Sequence, residues 1–479
     1  MSPVFDEAKY RALLEKLEVS EVNLLSIRNK NFDFRIDSEY FFKEHLALDS
    51  LLDCKRVDAL SNLSYKISDG THFTPEYVSS GVPFLSAINV QKNILDLDRG
   101  HQFITLQEHN NLYKRCDPKS GDILLRKVGV GERLACVVPQ MYFEFSIFVS
   151  VALVRPKTIN PFFLSTFINS CYGQKQLLRF NKGIGQPDLH LEDIARLRVI
   201  IPSVEFQAAI EKICKQGTNC FTNSKNIYAD AEHLLLQDLG LTAWQPDDES
   251  VATKTFADFQ NSGRLDAEYY QPKYDDLFKR ISSYDKSRLG DIVNITKSIE
   301  PGSEAYQEDG VPFVRVSDIT KFGITSPEIH LDRDKYYSEN LTPKKDTILL
   351  SKDGSVGIAY KVENDLDVIT SGALLHLTVK NNDFLPDYLT LVLNSIVVRL
   401  QAERDAGGSI IQHWKPSEIE NVIIPKLPMA IQEQIASKVQ ESFALRKESK
   451  RLLDLAKHAV EVAIEQGEEA AMKLLNSNI

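Results

Sequence analysis

The chain carries the same series of sequence signals twice. "GVPFLSAINV" occupies residues 81–90 and "GVPFVRVSDI" occupies residues 310–319, an offset of 229 positions. "RIDSEYF" (35–41) recurs at the same offset as "RLDAEYY" (264–270). Two matches at one offset indicate an internal duplication of about 225 residues, which is far longer than the repeat of a solenoid protein. The fold is therefore expected to contain one kind of domain twice.

Two further pairs of segments define the content of that domain. "GDILLRKVGVG" (121–131) parallels "KDTILLSKDGSVG" (345–357), and "IARLRVIIP" (194–202) parallels "SEIENVIIP" (417–425). Each copy begins with short β-type runs separated by Gly, Pro and Asn turns, continues with an apolar helical stretch and a Gly-containing loop, and ends in a strand. This order predicts an α+β domain in each repeat.

A long polar helix is expected after each Ile-Ile-Pro segment. In the first, apolar residues follow helical spacing from Ile210 to Leu235, with Gly240 as a plausible stop; in the second they run from Ile431 to about Glu465. A helix of some 34 residues is about 50 Å long. Its narrow apolar stripe needs a partner helix, and the nearest candidate is the other repeat. The predicted fold class is α+β: two homologous domains from an internal duplication, joined by two long helices that pair as an antiparallel coiled coil.

The expected domain boundaries follow from this plan. They are an N-terminal lead segment (1–54), a first α+β domain (55–202), a central spacer helix (203–240), a linker with a second lead segment (241–287), a second α+β domain (288–425) and a C-terminal spacer helix (426–479).

Charge is distributed unevenly between the two copies. The whole chain has a formal net charge of -11, but residues 55–200 contain 18 Lys and Arg against 13 Asp and Glu, whereas residues 288–424 contain 14 against 21. The first domain could meet phosphates by bulk electrostatics, and the second only through locally placed cations. The acidic remainder makes protein contact more plausible than DNA contact for the helices and leads.

Targeting and cysteine signals place the chain in the cytoplasm. The N-terminus "MSPVFDEAKYRALLEKLEV" is charged, and no stretch approaches eighteen consecutive apolar residues, so neither a signal peptide nor a membrane span is expected. The six Cys residues show no CxxC spacing and no His partner at ligand spacing. Reduced, part-buried thiols are expected, rather than a disulfide or a metal site.

Catalytic motifs are missing from the sequence. It has no GxxxxGK[ST] phosphate loop, no GxGxxG after a strand and no Asn/Asp-Pro-Pro-aromatic methyltransferase motif. "VGVGERL" (128–134) has only GxG and is typical of a β-turn. We therefore expect a non-catalytic chain.

Antiparallel pairing of the two long helices would relate the two domains by a pseudo-twofold axis. Duplex DNA has local twofold symmetry, and dimeric readers bind half-sites at a spacing that the protein fixes. One chain with two nonidentical domains would read two different half-sequences.

Taken together, several segments resemble the specificity (S) subunit of type I restriction-modification systems. The resemblance runs from about Arg35 to Glu465. The segments are "SDGTHFTPEYVSSGVPFLSAINV", "GDILL…GVG", "DTILL…GSVG", the two "IIP…Q" helix starts with Gln207 and Gln432, and "RLLDLAKHAVEVAIE" (451–465).

This resemblance implies that the α+β units are target recognition domains, that double-stranded DNA is the ligand and that the chain performs no chemistry. It implies two methyltransferase (modification) subunits as partners, with restriction-translocase subunits in the full complex and no membrane. No cofactor is expected in this chain; S-adenosylmethionine, ATP and Mg²⁺ are implied for the partner subunits.

The candidate DNA-binding residues lie near turns, because loops present donors to the grooves while strands hold them steady. They are Thr71, His72, Arg126, Lys127, Arg133, Lys182, Gln186 and His190 in the first domain, and Arg315, Lys321, Ser351, Lys352, Gln412, His413 and Lys415 in the second. The favoured group is the loop "NKGIGQPDLH" with its counterpart "GGSIIQHWKP". For the others a purely structural role is comparably plausible, and Trp414 is expected to pack.

Three alternatives remain open at this point. The lead motifs could be structural, with Tyr40 and Tyr269 packing, or could be two copies of a docking surface for identical partner subunits. The whole chain could be a stand-alone DNA-binding regulatory or decoy protein. It could also be an enzyme fused to a DNA reader, although the two repeats leave little length for a catalytic domain.

Overall fold

The protein divides into two compact units, which are described separately. The structure is a computed structural model that describes residues 6–14, 17–30, 35–181, 187–246, 251–408 and 412–478. Unit 1 comprises Met1–Phe221 and Lys447–Ile479, and unit 2 comprises Thr222–Arg446. Each long helix contributes residues to both units.

Unit 1 is built around a four-stranded antiparallel sheet. Its strands, in spatial order, are Ser64–Asp69, Val151–Pro156, Ile123–Arg126 and Ala135–Val137. Leu153 faces both Leu124 and Ser68 in the register, so the Val151–Pro156 strand lies inside the sheet. Its first four residues are fully buried, as a strand covered on both faces requires.

Three smaller sheets complete the β-structure of unit 1. Val82–Leu85 pairs antiparallel with Gln102–Ile104 and parallel with Ser146–Ile147; Val90–Gln91 and Ile94–Leu95 form a hairpin; Val57–Ala59 pairs antiparallel with Arg198–Ile200. The last pair joins the first and final strands of the domain.

The helices of unit 1 flank these sheets. They are Glu7–Leu14, Leu24–Lys30, Lys43–Asp53, Leu106–Tyr113, Pro161–Asn169, Cys171–Arg179, Leu191–Ala195 and Glu468–Asn478, with 3-10 turns at Ser38–Phe41 and Ala87–Asn89.

Unit 2 repeats this plan strand by strand. Its four-stranded antiparallel sheet has the spatial order Val293–Lys297, Leu374–Val379, Ile348–Ser351, Ala359–Lys361. In a three-stranded sheet, Val311–Val314 lies between His330–Leu331 and Ile369–Thr370. The two remaining sheets have two strands each: Ile319–Thr320 with Gly323–Ile324, and Lys286–Arg288 with Ile423–Pro425. Its α-helices are Phe256–Ser262, Pro272–Ile281, Leu289–Ile292, Arg333–Tyr336, Pro386–Asn394, Ile396–Asp405 and Pro416–Ile419. Its 3-10 turns are Ala267–Tyr270, Ser303–Ala305, Val316–Asp318 and Glu339–Leu341. The predicted pair of homologous α+β domains is confirmed.

The apolar stretch expected as one helix is two helices in both units. Ser170 ends Pro161–Asn169 and caps Cys171–Arg179, where its hydroxyl accepts from Gly173 N at 3.3 Å. Ser395 does the same in unit 2, accepting from Val397 N at 3.3 Å. Serine caps a helix readily because its hydroxyl satisfies a backbone N–H that has no partner within the helix.

The two long helices, Val204–Asp238 and Met429–Gln466, pair antiparallel within each unit. In unit 1, a Cβ on Gly217 would lie 2.9 Å from Leu453 Cγ. Just beyond the ends of the two helices, Ser203 N donates to Glu468 Oε1 at 3.1 Å. In unit 2, Ser442 Oγ donates to Ser224 O at 2.7 Å, while Lys438 lies 3.6 Å from Asp230. The residue numbers rise on one helix as they fall on the other, so the predicted antiparallel pairing is confirmed.

Buried glutamines fix the ends of each domain to the long helices. Gln207 Oε1 accepts from Asn160 N at 2.9 Å, just before the first helix of the pair. Gln432 Oε1 accepts from Leu385 N at 3.0 Å at the equivalent place in unit 2. The "IIP…Q" signal is therefore a structural joint that holds the domain against the start of a long helix.

A second pair of glutamines anchors the final strand. Gln176 Oε1 accepts from Arg198 N at 2.9 Å, and its amide donates to Arg198 O at 3.1 Å. Gln401 binds Ile423 N and O in the same way, at 2.8 and 2.9 Å. Both glutamine side chains are buried, and their bonds satisfy part-buried backbone groups of an edge strand.

Among the described residues, no helix is long and apolar enough to cross a membrane.

Candidate nucleic-acid interface

Two segments that sequence analysis singled out separately meet in each unit. In unit 1, the turn of residues 127–134 and the loop of residues 187–190 are joined by Leu189 N donating to Lys127 O at 2.9 Å and Gly129 N donating to Pro187 O at 3.1 Å. We call these segments the first loop pair.

The second loop pair, residues 352–357 and 412–415, has the same hydrogen bonds. Trp414 N donates to Lys352 O at 2.8 Å, and Gly354 N donates to Gln412 O at 2.9 Å. The two loop pairs occupy equivalent positions and are joined by equivalent backbone hydrogen bonds, so each unit contains a copy of the same backbone arrangement.

Glycine is required at the tip of the first loop pair. Gly129 and Gly131 have φ values of 114° and 89°, in the region that disfavours a side chain, and a Cβ on either would meet nothing within 4 Å. Between them, Val130 is 85% exposed. The turn therefore presents open backbone and one apolar side chain to the surroundings.

A buried carboxylate organises the cations around the first loop pair. Asp69 is almost fully buried, and its oxygens lie 2.5 Å from Arg115, 3.1 Å from His72 Nε2 and 3.6 Å from Lys127 Nζ. Lys127 Nζ also lies 3.1 Å from Asp188. The "DGTHF" turn and the loop pair, which lie far apart in sequence, thus share one electrostatic cluster. Arg115 was not a sequence candidate, because nothing in its local sequence distinguishes it.

Arg133 is a buried side chain that stabilises the first loop pair through hydrogen bonds. It is 1% exposed, and its guanidinium donates to Asn181 Oδ1 at 2.7 Å and to Pro187 O at 3.2 Å. Burial lowers the pKa of Arg133. This side chain therefore joins Asn181 to Pro187. Lys182 and Gln186 themselves lie outside the described residues.

Arg126 and Thr71 also make internal bonds. Arg126 Nε donates to Val90 O at 2.7 Å, and burial lowers its pKa. Thr71 is buried, and its hydroxyl donates to Phe73 O at 3.2 Å. His72 is exposed beside it.

In the second loop pair, the carboxylate of Asp353 contacts two of the candidate side chains. His413 Nδ1 lies 2.8 Å from Asp353 Oδ1, and Lys352 pairs with the other oxygen of the same carboxylate. Gly407 and His413 exchange two backbone hydrogen bonds of 3.1 and 2.7 Å. Ser351 is fully buried; its hydroxyl donates to Ser355 O at 2.5 Å and accepts from Ile358 N at 2.9 Å.

Two candidates of unit 2 lie away from the loop pair. Arg315 Nε lies 3.6 Å from Asp318 in its own short turn. Lys321 Nζ lies 3.0 Å from Glu232 and 4.5 Å from the ring centroid of Tyr228, both on the first long helix. Trp414 is 1% exposed in the hydrophobic core, as the packing interpretation predicted.

Exposure separates the described candidates into three groups, of which the part-buried one comprises Arg126, Arg315, Lys321 and Lys352. Lys127, Arg133, Thr71 and Ser351 are buried, so their side chains would reach DNA only if the loops opened. The exposed candidates are His72, His190, Gln412, His413 and Lys415. The side chains of the exposed group are open to solvent, whereas those of the buried group make the internal contacts described above.

Neither loop pair brings together the side chains that a metal site needs. Within the part of the chain that the structure describes, no group of three or more His, Cys, Asp and Glu side chains could hold a metal ion. Cys116, Cys136 and Cys214 are buried and Cys54 is exposed; burial raises the pKa of Cys214 to about 12.

The second domain, with its loop pair, matches a known family. Residues 281–453 match the model of the type I restriction modification DNA specificity domain. The predicted resemblance to type I specificity subunits is confirmed over these residues, which are similar to the DNA specificity domain of type I restriction-modification systems. A comparison with curated protein sequences finds no match.

Three solved structures of restriction proteins also match this chain, at low sequence identity. An S subunit of a type-I restriction-modification system from M. genitalium is 13% identical, with 88% of this chain and 95% of that chain covered and a TM-score of 0.34. The HsdS subunit from Thermoanaerobacter tengcongensis is 15% identical, with coverages of 86% and 97% and a TM-score of 0.28. A type IIG restriction endonuclease, BpuSI, is 10% identical, with coverages of 38% and 29% and a TM-score of 0.30.

Proposed function

We propose that this protein is the DNA-specificity subunit of a type I restriction-modification complex. In this proposal its two target recognition domains read the two unlike halves of a bipartite DNA site, and the chain scaffolds two methyltransferase subunits without performing chemistry. The observation that carries the proposal is the repeated loop pair, which has the same backbone bonds in both units and different exposed side chains.

A DNA site with two unlike halves requires two domains that present different side chains on the same backbone arrangement. The first loop pair presents Val130 and His190, and the second presents Gln412, His413 and Lys415. An amide can bind adenine in a bidentate manner, a lysine can bind the acceptors of guanine, and an apolar side chain can contact a thymine methyl group. The two domains would therefore prefer different bases.

The long helices are proposed to set the gap between the half-sites. They contain 35 and 38 residues. At 1.5 Å per residue each is about 50 Å long or slightly more, which is greater than one turn of duplex DNA. A spacer of fixed length would give a fixed number of unread base pairs.

Chemistry is assigned to the partner subunits. S-adenosylmethionine would be bound by the methyltransferase subunits, and ATP with Mg²⁺ by the restriction-translocase subunits. The role of this chain in that complex is to bind DNA and to select where the partners act.

The test is to map DNA modification. This chain is coexpressed with the methyltransferase subunit encoded beside it, in a host without DNA methylation, and methylated adenines are located by sequencing. A split motif with two unlike halves and a constant gap is expected. A short continuous motif would contradict the two-reader mechanism.

A domain exchange assigns each half of the motif. Residues 57–200 begin and end in one two-stranded sheet, so they can be replaced by the equivalent segment of another specificity subunit with the joint preserved. Only one half of the motif should change. If the chain binds DNA but the coexpressed methyltransferase neither associates nor methylates, the stand-alone DNA-binding alternative replaces the proposal.

A further inference from the structure

The two α+β domains differ at the tip of one small hairpin. The hairpin occupies residues 90–95 in unit 1 and residues 319–324 in unit 2, and its strands have the same register in both. The two residues of each tip are Lys92 and Asn93 in unit 1, and Lys321 and Phe322 in unit 2. The tip therefore begins with lysine in both copies, but its second residue is polar in one and aromatic in the other.

The tip of unit 1 is bound within its own α+β domain. Asn93 has a φ of 58°, a left-handed conformation that asparagine adopts more readily than most residues. Its side chain is buried, and its Oδ1 accepts from Ser165 Oγ at 2.7 Å and from Asn169 Nδ2 at 3.0 Å. Lys92 Nζ lies 3.7 Å from Glu132. These three partners all belong to the first α+β domain.

The turn of unit 2 is built differently. Its positive φ falls one residue later, on Gly323 at 142°, which leaves the preceding position open to a large aromatic residue. Thr320 Oγ1 accepts from Phe322 N at 3.2 Å and donates to Gly323 O at 3.1 Å. Hydroxyl bonds of this kind to the nearby backbone fix the shape of a turn. The side chains of Lys321 and Phe322 are then placed against the long helices.

Both tip residues contact the first long helix, Val204–Asp238. The ring centroid of Phe322 lies 4.9 Å from that of the buried Tyr228, in an edge-on arrangement at 71°. Lys321 Nζ lies 3.0 Å from Glu232 Oε1 and 4.5 Å from the Tyr228 centroid. An ion pair, a cation–π contact and a ring pair thus meet within one turn of this helix.

Phe322 also contacts the second long helix. Its ring centroid lies 6.1 Å from that of Phe443 and 3.4 Å from the guanidinium carbon of Arg446. Beside these residues, Ser442 Oγ donates to Ser224 O on the first long helix at 2.7 Å. The tip therefore packs against both long helices close to the point where the two helices bind each other.

The tip gives the second α+β domain an attachment point well separated from the joint at Gln432. That joint lies near the start of the second long helix, where Gln432 accepts from Leu385 N. Gln432 and Phe443 are about 16 Å apart along the helix, at 1.5 Å per residue. One attachment point leaves a domain free to pivot, whereas two points at this separation also restrict its rotation.

Rotation of the domain matters because of the geometry of DNA. One additional base pair moves a half-site about 3.4 Å along the duplex and turns it by about 35° around the axis. The length of a spacer does not by itself resist a rotation of this size. A protein rejects a gap that is one base pair too long only if each reading domain is held firmly to the spacer.

We propose that Lys321 and Phe322 are positioning residues, which fix the second recognition domain to the long helices and thereby restrict the gap between the half-sites to one length. This inference rests on the proposed function, in which the chain reads a bipartite site. It assigns the side chain of Lys321 to Glu232 and Tyr228 rather than to DNA. It also means that the length of the helices sets the gap only while the hairpin tip is seated on them.

The experiment measures methylation rates of three duplexes by the complex of this chain with its methyltransferase subunit. The duplexes carry both half-sites with the mapped gap, with one base pair fewer and with one base pair more. The wild-type complex should strongly prefer the mapped gap. Phe322→Ala should reduce this preference about tenfold, the factor that the loss of one or two ring contacts makes in an equilibrium constant. Phe322→Tyr keeps the ring and should keep the preference.

Charge reversal tests the ion pair of Lys321. Lys321→Glu places two carboxylates together, and Glu232→Lys places two cations together, so each should reduce the preference for the mapped gap. The double variant restores an opposite pair and should recover part of that preference. Lys92→Glu is the matched control, because it reverses the equivalent lysine of unit 1, whose partner Glu132 lies in its own domain. It should leave the preference unchanged.

The ratio of rates separates positioning from stability. A merely structural role would lower all three rates together and leave their ratio as in the wild type, which would overturn the inference. So would a Lys321→Glu variant that binds all three duplexes more weakly with an unchanged ratio and no rescue by Glu232→Lys, since Lys321 would then contact DNA. In both cases the proposed function would stand. A wild-type complex that recognises a continuous motif would instead contradict the proposed function itself.

Discussion

Lys127 Nζ lies 3.1 Å from Asp188 Oδ1, and this contact joins the turn after one strand to the loop before the last helix of the first domain. Lys127 is 4% exposed and also faces the buried Asp69. A buried cation is tolerated only when it is paired, and removing it leaves carboxylates without their counter-charge.

We therefore expect Lys127→Met to destabilise unit 1 by about 2 kcal/mol, which is less than the loss of an isolated buried pair because Arg115 still binds Asp69. Urea unfolding measures this change. Lys119→Met is the control: Lys119 is 59% exposed in a surface pair with Asp117, and its loss should cost less than about 1 kcal/mol. Equal effects of the two substitutions would contradict the supporting role of Lys127.

Gln176 and Gln401 lead to a second prediction. Each binds both backbone groups of one residue in the final strand, so substitution by Ala leaves a part-buried N–H and a part-buried C=O without that partner. Each substitution should lower the free energy of unfolding by about 2–4 kcal/mol. Differential scanning calorimetry should show a lower melting temperature for both. Gln107→Ala, at an exposed helical position, should change it little.

The duplicated fold could be predicted from the sequence because the two repeats can be aligned with each other. "GVPF", the two Ile-Ile-Pro strands and the long apolar stripes each mark an element that is present in both units. Gln176 and Gln401 carried the same signal, a polar residue kept at one position in two apolar helical stretches, and could have been found from it.

The burial of the candidate cations was not accessible in this way. Lys127 and Arg133 lie in a Gly-rich turn, where a cation is normally solvated. Their burial depends on Asp69, Asn181 and Pro187, which are distant in sequence and converge only in the folded domain. Local spacing also could not show that Lys321 contacts the long helix, because that contact joins residues 89 positions apart.

His376 makes the stability of unit 2 depend on pH. It is buried, and its Nε2 lies 2.8 Å from Thr370 Oγ1; burial lowers the pKa of His376 to about 4, against 6.5 for the ordinary group. The unfolded chain binds a proton more readily than the folded one, so this stability is complete above pH 6.5 and is lost as the pH falls toward 4.

The loss across that window is about 3 kcal/mol, since one pKa unit corresponds to about 1.4 kcal/mol. Chemical unfolding followed from pH 7 to 4.5 should show the decline. His376→Gln removes the titrating group and should flatten the profile of unit 2, even if it lowers stability at pH 7. An unchanged slope in this variant would assign the pH dependence to other groups.

Substitution of Lys415 tests whether the second domain contacts DNA phosphates or bases directly through this side chain. Its side chain is 74% exposed, and the surrounding domain is acidic, so few other cations can replace it. If Lys415 neutralises one phosphate, Lys415→Gln should weaken DNA binding and reduce the slope of log K against log salt by about 1. Fluorescence anisotropy with the target duplex at several salt concentrations measures the slope.

Lys473→Gln is the matched control, because Lys473 is equally exposed, at 76%, but lies on the C-terminal helix Glu468–Asn478. It should leave both the affinity and the slope unchanged. A weaker affinity with an unchanged slope in Lys415→Gln would indicate a contact to a base or a role in loop structure, and comparison of methylation motifs would then show whether one position of the second half-site has relaxed. Equal slopes and affinities for the wild type and both variants would remove Lys415 from the interface and leave Gln412 and His413 as the exposed side chains of that loop.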